Sequence, residues 1–436
     1  MSDTPLAKIF VAFNNVLDSK MGTSLGLRKW AEKLTYQGTV QGANLSKQAS
    51  RIFPKAKKDS PAEKPENVKG SGLFDLNLTE DQEMVQETIR EFAKQYLRNN
   101  AEKANVDCSI PDDIVQEFNA LGLAYYSVPE SLGGVLVDKA TVTQMIIAQE
   151  LAYGDLGMAV ALLSPVNALN AIIRWGTGAQ QEKYIPAFLD EESPLKAVIA
   201  INEPAPLFDP FALSTKAVKK GSKYVLNGTK ALVPLVNSSE LFIVAANVEG
   251  EGPALFLIES STEGVAVASQ NAMGLRPAAL GNIELKNVTL DASARLGDQS
   301  FDYANFISYA RLGWCSLAVG TAKAILDEVV PYSNERIAFG EPISHRQSIA
   351  FMIANIRIEM DSMEILTQRA ASLAEQGKPF QREAYLAAVS CQEHAMNIGN
   401  DGVQIFGGIG FMRDFHAERW YRDLRAVSWN FNAMHL

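Results

Sequence analysis

Apolar positions change their spacing twice along this chain. From Thr79 to about residue 185 they recur with helical periodicity. Thr79-Glu80-Asp81-Gln82 has the form of a helix N-cap with acidic first-turn residues, opening a helix that runs towards Leu97. Ile114–Leu121, Val142–Tyr153 and Leu162–Trp175 continue the helical pattern, and Pro129-Glu130-Ser131-Leu132-Gly133-Gly134 reads as a turn between them. From about 196 to 298 the runs shorten. Ala197–Ile201, Tyr224–Leu226, Leu241–Ala245, Ala254–Ile258 and Ile283–Leu285 are apolar segments separated by Gly, Asn, Asp and Ser, which predicts an antiparallel β unit. Residues 301–427 return to long helical spacing. Helices, then strands, then helices predict an α + β chain with segregated layers. The divisions fall at 1–75, an extension and linker; 76–192, a helical domain; 193–300, a β domain; and 301–436, a C-terminal helical bundle.

The first segment differs from the rest in charge. Residues 1–58 hold ten Lys or Arg against Asp3, Asp18 and Glu32, while the whole chain has a net charge of −10. The arm is therefore basic and the remainder strongly acidic, which sets the arm apart as a unit. Its apolar clusters, Ile9, Phe10, Phe13, Val16 and Leu17, then Leu25, Leu27 and Trp30, have roughly helical spacing. The charged, Pro-interrupted stretch after Pro54 has linker composition. Three readings of residues 1–58 stay open: a loosely ordered extension, a basic amphipathic segment making peripheral contact with an anionic membrane face, or a docking arm for another subunit.

Composition narrows the function. Of the 436 residues, 47% are hydrophobic and 21% charged, an ordinary globular balance with no uninterrupted apolar run near membrane-spanning length. A sequence pI near 5.1 argues against nucleic acid as the main partner. Cys108, Cys315 and Cys391 are scattered without metal spacing, which suits a reducing, cytoplasmic setting. His345, His394, His416 and His435 form no paired metal-ligand motif, so no metal site is expected.

Six segments, in order, resemble the acyl-CoA dehydrogenase family from about residue 76 onwards. They are Leu78–Gln82, Val128–Gly134, Gln149–Gly154, Lys223–Lys230, Asn334–Gly340 and Gln404–Phe411, the last being Gln-Ile-Phe-Gly-Gly-Ile-Gly-Phe. The resemblance implies FAD as cofactor, an acyl-CoA thioester as substrate, and a homo- or hetero-oligomer of such subunits. It further implies α,β-oxidation and electron-transferring flavoprotein as acceptor. That chemistry needs a carboxylate to take the α-proton, an electron-poor ring to take the β-hydride, and donors at the thioester oxygen.

Several of those parts are altered here. The family's base position maps to Phe431, eight residues beyond Asp423, and its alternative position maps to Ala310, just before Arg311, itself a substrate-contact position. Neither Phe431 nor Ala310 ionises, and Asp414, Glu418 and Asp423 read as solvated or salt-bridged carboxylates. The flavin-contacting segment Thr-Glu-Pro-Gly-Ala-Gly-Ser-Asp corresponds to Asn202–Asp209, in which Ala205, Leu207 and Phe208 replace two glycines and a serine. The segment Trp-Ile-Thr-Asn corresponds to Leu232-Val233-Pro234-Leu235, which removes an indole and a threonine donor.

Another set matches. In the family's dimers a subunit also holds the adenine and pyrophosphate end of its neighbour's FAD, and those positions map to Arg336, Phe339, Gln347, Gln404 and Gly408. A planar guanidinium at Arg336 suits a pyrophosphate. The resemblance thus implies a mixed oligomer in which this chain completes a partner's FAD site. The alternatives are a conventional dehydrogenase with a relocated carboxylate, a non-catalytic acyl-CoA-binding or scaffold protein, and a flavin monooxygenase on the same fold.

Overall fold

The computed structural model describes residues 77–436, apart from 137–139, 191, 192, 299 and 429. The basic arm and its expected contacts lie outside the described residues.

Helix α1, Glu80–Phe92, begins at the predicted cap. The Thr79 hydroxyl accepts from the Gln82 backbone N–H, and the Gln82 side chain accepts from the Thr79 N–H, closing a capping box. A π-helical turn, Ala93–Arg98, leads into α2, Asn99–Asp107. The helical layer continues through α3, Asp112–Ala120; α4, Leu123–Ser127; α5, Thr141–Gly154; α6, Leu156–Trp175; and α7, Gly178–Phe188. Helix α6 is apolar and long enough by composition alone to cross a membrane, which the absence of an uninterrupted run had hidden. It is 83% buried against other protein elements, as befits a core helix.

Seven strands follow: β1, Ala197–Ala200; β2, Lys216–Lys220; β3, Lys223–Val233; β4, Leu241–Val248; β5, Gly252–Glu259; β6, Val265–Ser269; and β7, Gly281–Asp291. They form one sheet ordered β1-β4-β2-β3-β7-β6, with β5 also on β4. The antiparallel expectation holds for β2–β3, β3–β7, β4–β5 and β6–β7, but β1 and β2 both join β4 in parallel. The sheet is therefore mixed. Strand β4 is buried over nearly its whole length, since it is flanked on both sides and covered on its faces.

The last layer comprises α8, Tyr303–Glu335; a small hairpin, β8, Ile337–Ala338, and β9, Glu341–Pro342; then α9, Gln347–Glu375; α10, Gln381–Phe406; and α11, Ala417–Leu424. Helix α8 runs through the centre and presses closely on α5. A Cβ at Gly320 would stand 2.0 Å from the Gln149 carbonyl oxygen, so only glycine allows this approach. Polar clamps join the two helical layers. Arg419 of α11 and Asp155, both almost fully buried, pair at 3.0 Å, while Asp155 also caps α6 by accepting from the Met158 N–H at 2.9 Å. Arg98 reaches Glu328 at 2.7 Å and lies over the rings of Tyr153 and Trp420.

Candidate functional site

The positions singled out from sequence fall into an interior group and an edge group. The interior group gathers where β1 and β3 end beside α6 and α8. After α11 the chain turns inward, and Asn432, Ala433, Met434, His435 and Leu436 are all buried. Asn432 makes the central contacts. Its Oδ1 accepts from the backbone N–H of Ile201 at 2.7 Å and of Asn202 at 2.9 Å, and its Nδ2 donates to the carbonyls of Ala231 and Leu232, both at 2.9 Å. The Trp314 indole donates to the Asn432 carbonyl at 3.3 Å, and Ala433 N–H donates to Ile199 O at 3.0 Å.

Through Phe431 and Asn432 the chain is tied to the 202–209 and 231–232 segments. Phe431 is half-buried, donates its N–H to Asn202 Oδ1 at 2.9 Å, and meets Phe208 edge-on at 6.3 Å between ring centroids. Ala310 is buried in α8. Leu207, which the resemblance sets at a family glycine, has a left-handed φ of 53°, and Leu232 and Leu235 adopt 55° and 50°. The 202–209 turn thus holds a leucine in a backbone conformation suited to glycine.

Beneath this junction lies a fully buried ion pair, Lys230 to Glu203 at 2.9 Å. Lys230 Nζ also donates to Ile201 O at 3.0 Å, while Glu203 accepts from the N–H groups of Ser214 and Thr215 at 2.6 and 2.8 Å. Burial opposes ionisation of Glu203, but the Lys230 charge and these donors outweigh it and hold its pKa at about 2. Burial brings Lys230 down to about 8 against the pull of Glu203. Glu203 is therefore a firmly ionised structural anchor and a poor proton acceptor near neutrality.

Arg311 lies on α8 between two rings, its guanidinium carbon 5.2 Å from the Tyr385 centroid and 5.9 Å from that of Phe211. The three acidic candidates separate. Asp414 is exposed, and Glu418 pairs with Arg422 at 2.6 Å. Asp423 departs from the solvated-or-paired expectation. It is buried, accepts from the Leu275 N–H at 2.6 Å, and is pushed up to about 7 by burial and by nearby Asp155. None of the three touches Phe431 or Arg311.

The edge group lies at the C-terminal ends of α8 and α10. Tyr332 of α8 packs on Phe406 of α10 with centroids 4.4 Å apart. Arg336 follows Tyr332 by one turn, and Gln404 and Gly408 flank Phe406. Arg336, Gln404 and Gly408 are exposed. Phe339, at the hairpin tip with φ 56°, is 96% exposed, and Gln347 is the exposed first residue of α9. Arg336 has no ion pair with any described residue, whereas its neighbour Arg346 pairs with Glu341 at 3.1 Å. This is a polar and aromatic rim facing outward.

A helical layer, a seven-stranded sheet and a second helical layer around an interior junction define a dehydrogenase-type α + β architecture. Family models for the N-terminal, middle and C-terminal domains of acyl-CoA dehydrogenases match residues 79–192, 198–288 and 303–430. The 3-(aryl)acrylate reductase of Clostridium sporogenes is 31% identical over 80% of this chain and 94% of that protein. The short-chain specific acyl-CoA dehydrogenase of rat mitochondria is 30% identical over 80% of this chain and 86% of that protein. The structure of butyryl-CoA dehydrogenase from Megasphaera elsdenii superposes with a TM-score of 0.74 at 26% identity, covering 82% of this chain and 96% of that one. The chain belongs to the acyl-CoA dehydrogenase family, whose members are FAD-dependent oxidoreductases.

The residues present fit that cofactor unequally. The outward rim offers a guanidinium without an ion pair among the described residues, and an exposed ring. The interior does not fit a flavin ring, because the backbone donors and acceptors at 201–202 and 231–232 are already bonded to Asn432, and Phe208 and Phe431 pack together beside them.

Proposed function

We propose that this chain is a subunit of an FAD-dependent acyl-CoA dehydrogenase assembled from unlike subunits. In this reading Arg336, Phe339, Gln347, Gln404 and Gly408 complete the adenine and pyrophosphate end of a neighbour's FAD. The neighbour supplies the base and the ring pocket, and oxidises the acyl thioester at Cα–Cβ. The observation that carries the reading is the asymmetry between an exposed rim, where Arg336 has no ion pair among the described residues, and an interior closed around Asn432. An outward guanidinium that pairs with no described carboxylate suits a diphosphate brought by another subunit. Arg311, held between two rings, is a contact for the anionic part of a CoA thioester. Electron-transferring flavoprotein is the acceptor that family membership supports.

The test is the visible spectrum of the chain purified alone and after co-expression with a second acyl-CoA dehydrogenase subunit of the same organism. The isolated chain should be colourless and inert, and the mixed preparation yellow and active, with this chain retained in the complex. A yellow, active isolated chain would overturn the reading.

A further inference from the structure

We infer that Glu341 and Arg346 are positioning residues of the outward rim, holding the Phe339 ring as a stacking platform for a planar nucleobase. The inference rests on the proposed function, in which that base is the adenine of a neighbour's FAD.

The turn that carries the ring is ill suited to a phenylalanine. Strands β8 and β9 pair Ile337 with Pro342 and Ala338 with Glu341, so Phe339 and Gly340 alone form the turn. Both have positive φ, 56° and 87°. A two-residue hairpin of this kind favours Asn or Asp followed by Gly, because a bulky side chain is strained in the left-handed region. Packing does not offset that strain, since the ring is 96% exposed. A residue kept for the fold alone would be neither strained nor bare, and a strained, exposed aromatic points to a ligand.

The ring is held all the same. Arg346 sets its guanidinium carbon 5.6 Å from the Phe339 centroid, over one face of the ring. Arg346 is itself held by Glu341 at 3.1 Å, and Glu341 also reaches His345 at 3.5 Å. The Arg346 backbone is fixed where α9 begins. Its N–H donates to Ile343 O at 2.9 Å, and its carbonyl accepts from the Ala350 N–H at 3.0 Å. One arginine thus clips the hairpin tip to the start of a long helix and leaves the other face of the ring open.

The same hairpin leads out of Arg336, whose carbonyl accepts from the Ile343 N–H at 2.9 Å. An aromatic face and a guanidinium without an ion pair among the described residues, three positions apart, match a base and its attached phosphates. Arg346, engaged by Glu341, serves the ring and not the phosphates.

FAD affinity, measured by titrating the deflavinated mixed assembly, tests this beside urea unfolding of the isolated chain. Phe339→Leu keeps apolar bulk without the π face and should weaken FAD by roughly 5- to 150-fold, while Phe339→Tyr should retain it. Phe339→Asn should weaken FAD similarly yet leave the isolated chain at least as stable as the parent. A less stable Phe339→Asn chain would show that the ring serves the fold, and overturns the platform. Arg346→Ala should weaken FAD by about 2- to 5-fold. Glu341→Gln decides how Arg346 acts. Weaker FAD is expected, because a loosened Arg346 no longer fixes the ring; unchanged or tighter FAD overturns the positioning role. FAD bound as tightly with Phe339→Leu as with the parent overturns the platform and leaves the mixed assembly standing. A parent assembly that holds no FAD overturns both.

Discussion

At the scale of single residues, one carboxamide and one imidazole do most to hold the interior together. Asn432 satisfies two backbone N–H groups and two carbonyls from strand ends separated from it by some 200 residues of sequence. Asn432→Ala would leave those groups buried without partners, and the expected loss of stability is about 3 kcal/mol or more, read by urea unfolding. His435 carries a pH dependence. Burial, then the neighbouring Arg174 charge, holds its pKa well below the usual imidazole range, so the folded protein keeps it neutral. Below about pH 6.5 the unfolded chain takes up a proton there that the folded chain refuses, so stability falls as pH drops, by at most about 1.4 kcal/mol per unit. His416, held at about 4 by burial and by Arg419 and Arg98, adds a loss of the same sign that ends near pH 4. Asp423, raised to about 7, acts in the opposite direction between the unfolded carboxylate range and neutrality. A comparison with His435→Gln isolates the His435 part. Between pH 7 and 5 the variant should lose about 2 kcal/mol less than the parent chain, and equal losses would show that His435 does not titrate on unfolding.

At the scale of elements, the two helical layers are joined by buried charge as well as by apolar packing. Asp155 caps α6 and pairs with Arg419 of α11, and both side chains are only 1% exposed. Removing one member of such a pair strands the other, so Arg419→Met should cost about 3–5 kcal/mol in thermal or urea unfolding. Arg419→Lys should recover only part, since one ammonium cannot reach both Asp155 and Glu102 as the guanidinium does. The elements themselves were largely legible because their signals are local. Thr79 and the acidic residues after it announced a helix N-cap, and the apolar runs at 197–201, 241–245 and 254–258 became β1, β4 and β5. Strand β2, Lys-Ala-Val-Lys-Lys, was missed because only Ala217 is buried and lysines dominate its exposed positions. The parallel joins of β1 and β2 to β4 were also hidden, because strand direction is decided by pairings distant in sequence.

At the scale of the whole molecule, the positions singled out from sequence fall into a buried group around Asn432 and an exposed group around Arg336. The rim could be singled out because the resemblance points to Arg336, Phe339, Gln347, Gln404 and Gly408 one position at a time, and all five are exposed. The packing of the buried group was not legible, because Asn432, Met434 and His435 find their partners at Ile201, Leu232, Gly313 and Asn167, all far along the chain. The rim carries the last prediction. Arg336 is exposed and unpaired among the described residues, so Arg336→Ala should shift the stability of the isolated chain by no more than about 0.5 kcal/mol. In a mixed assembly it would remove a charge-assisted contact to a phosphate, worth about 1.5–3 kcal/mol, or roughly 10- to 150-fold in FAD affinity. Arg336→Lys should fall between, keeping the charge but losing the paired donors. Measuring FAD release from assemblies that carry each variant, beside unfolding of the isolated chains, separates the two effects. FAD held as tightly with Ala as with Arg would remove Arg336 from the neighbour's site. Weaker FAD with an unchanged unfolding curve would place its function on the far side of a subunit boundary.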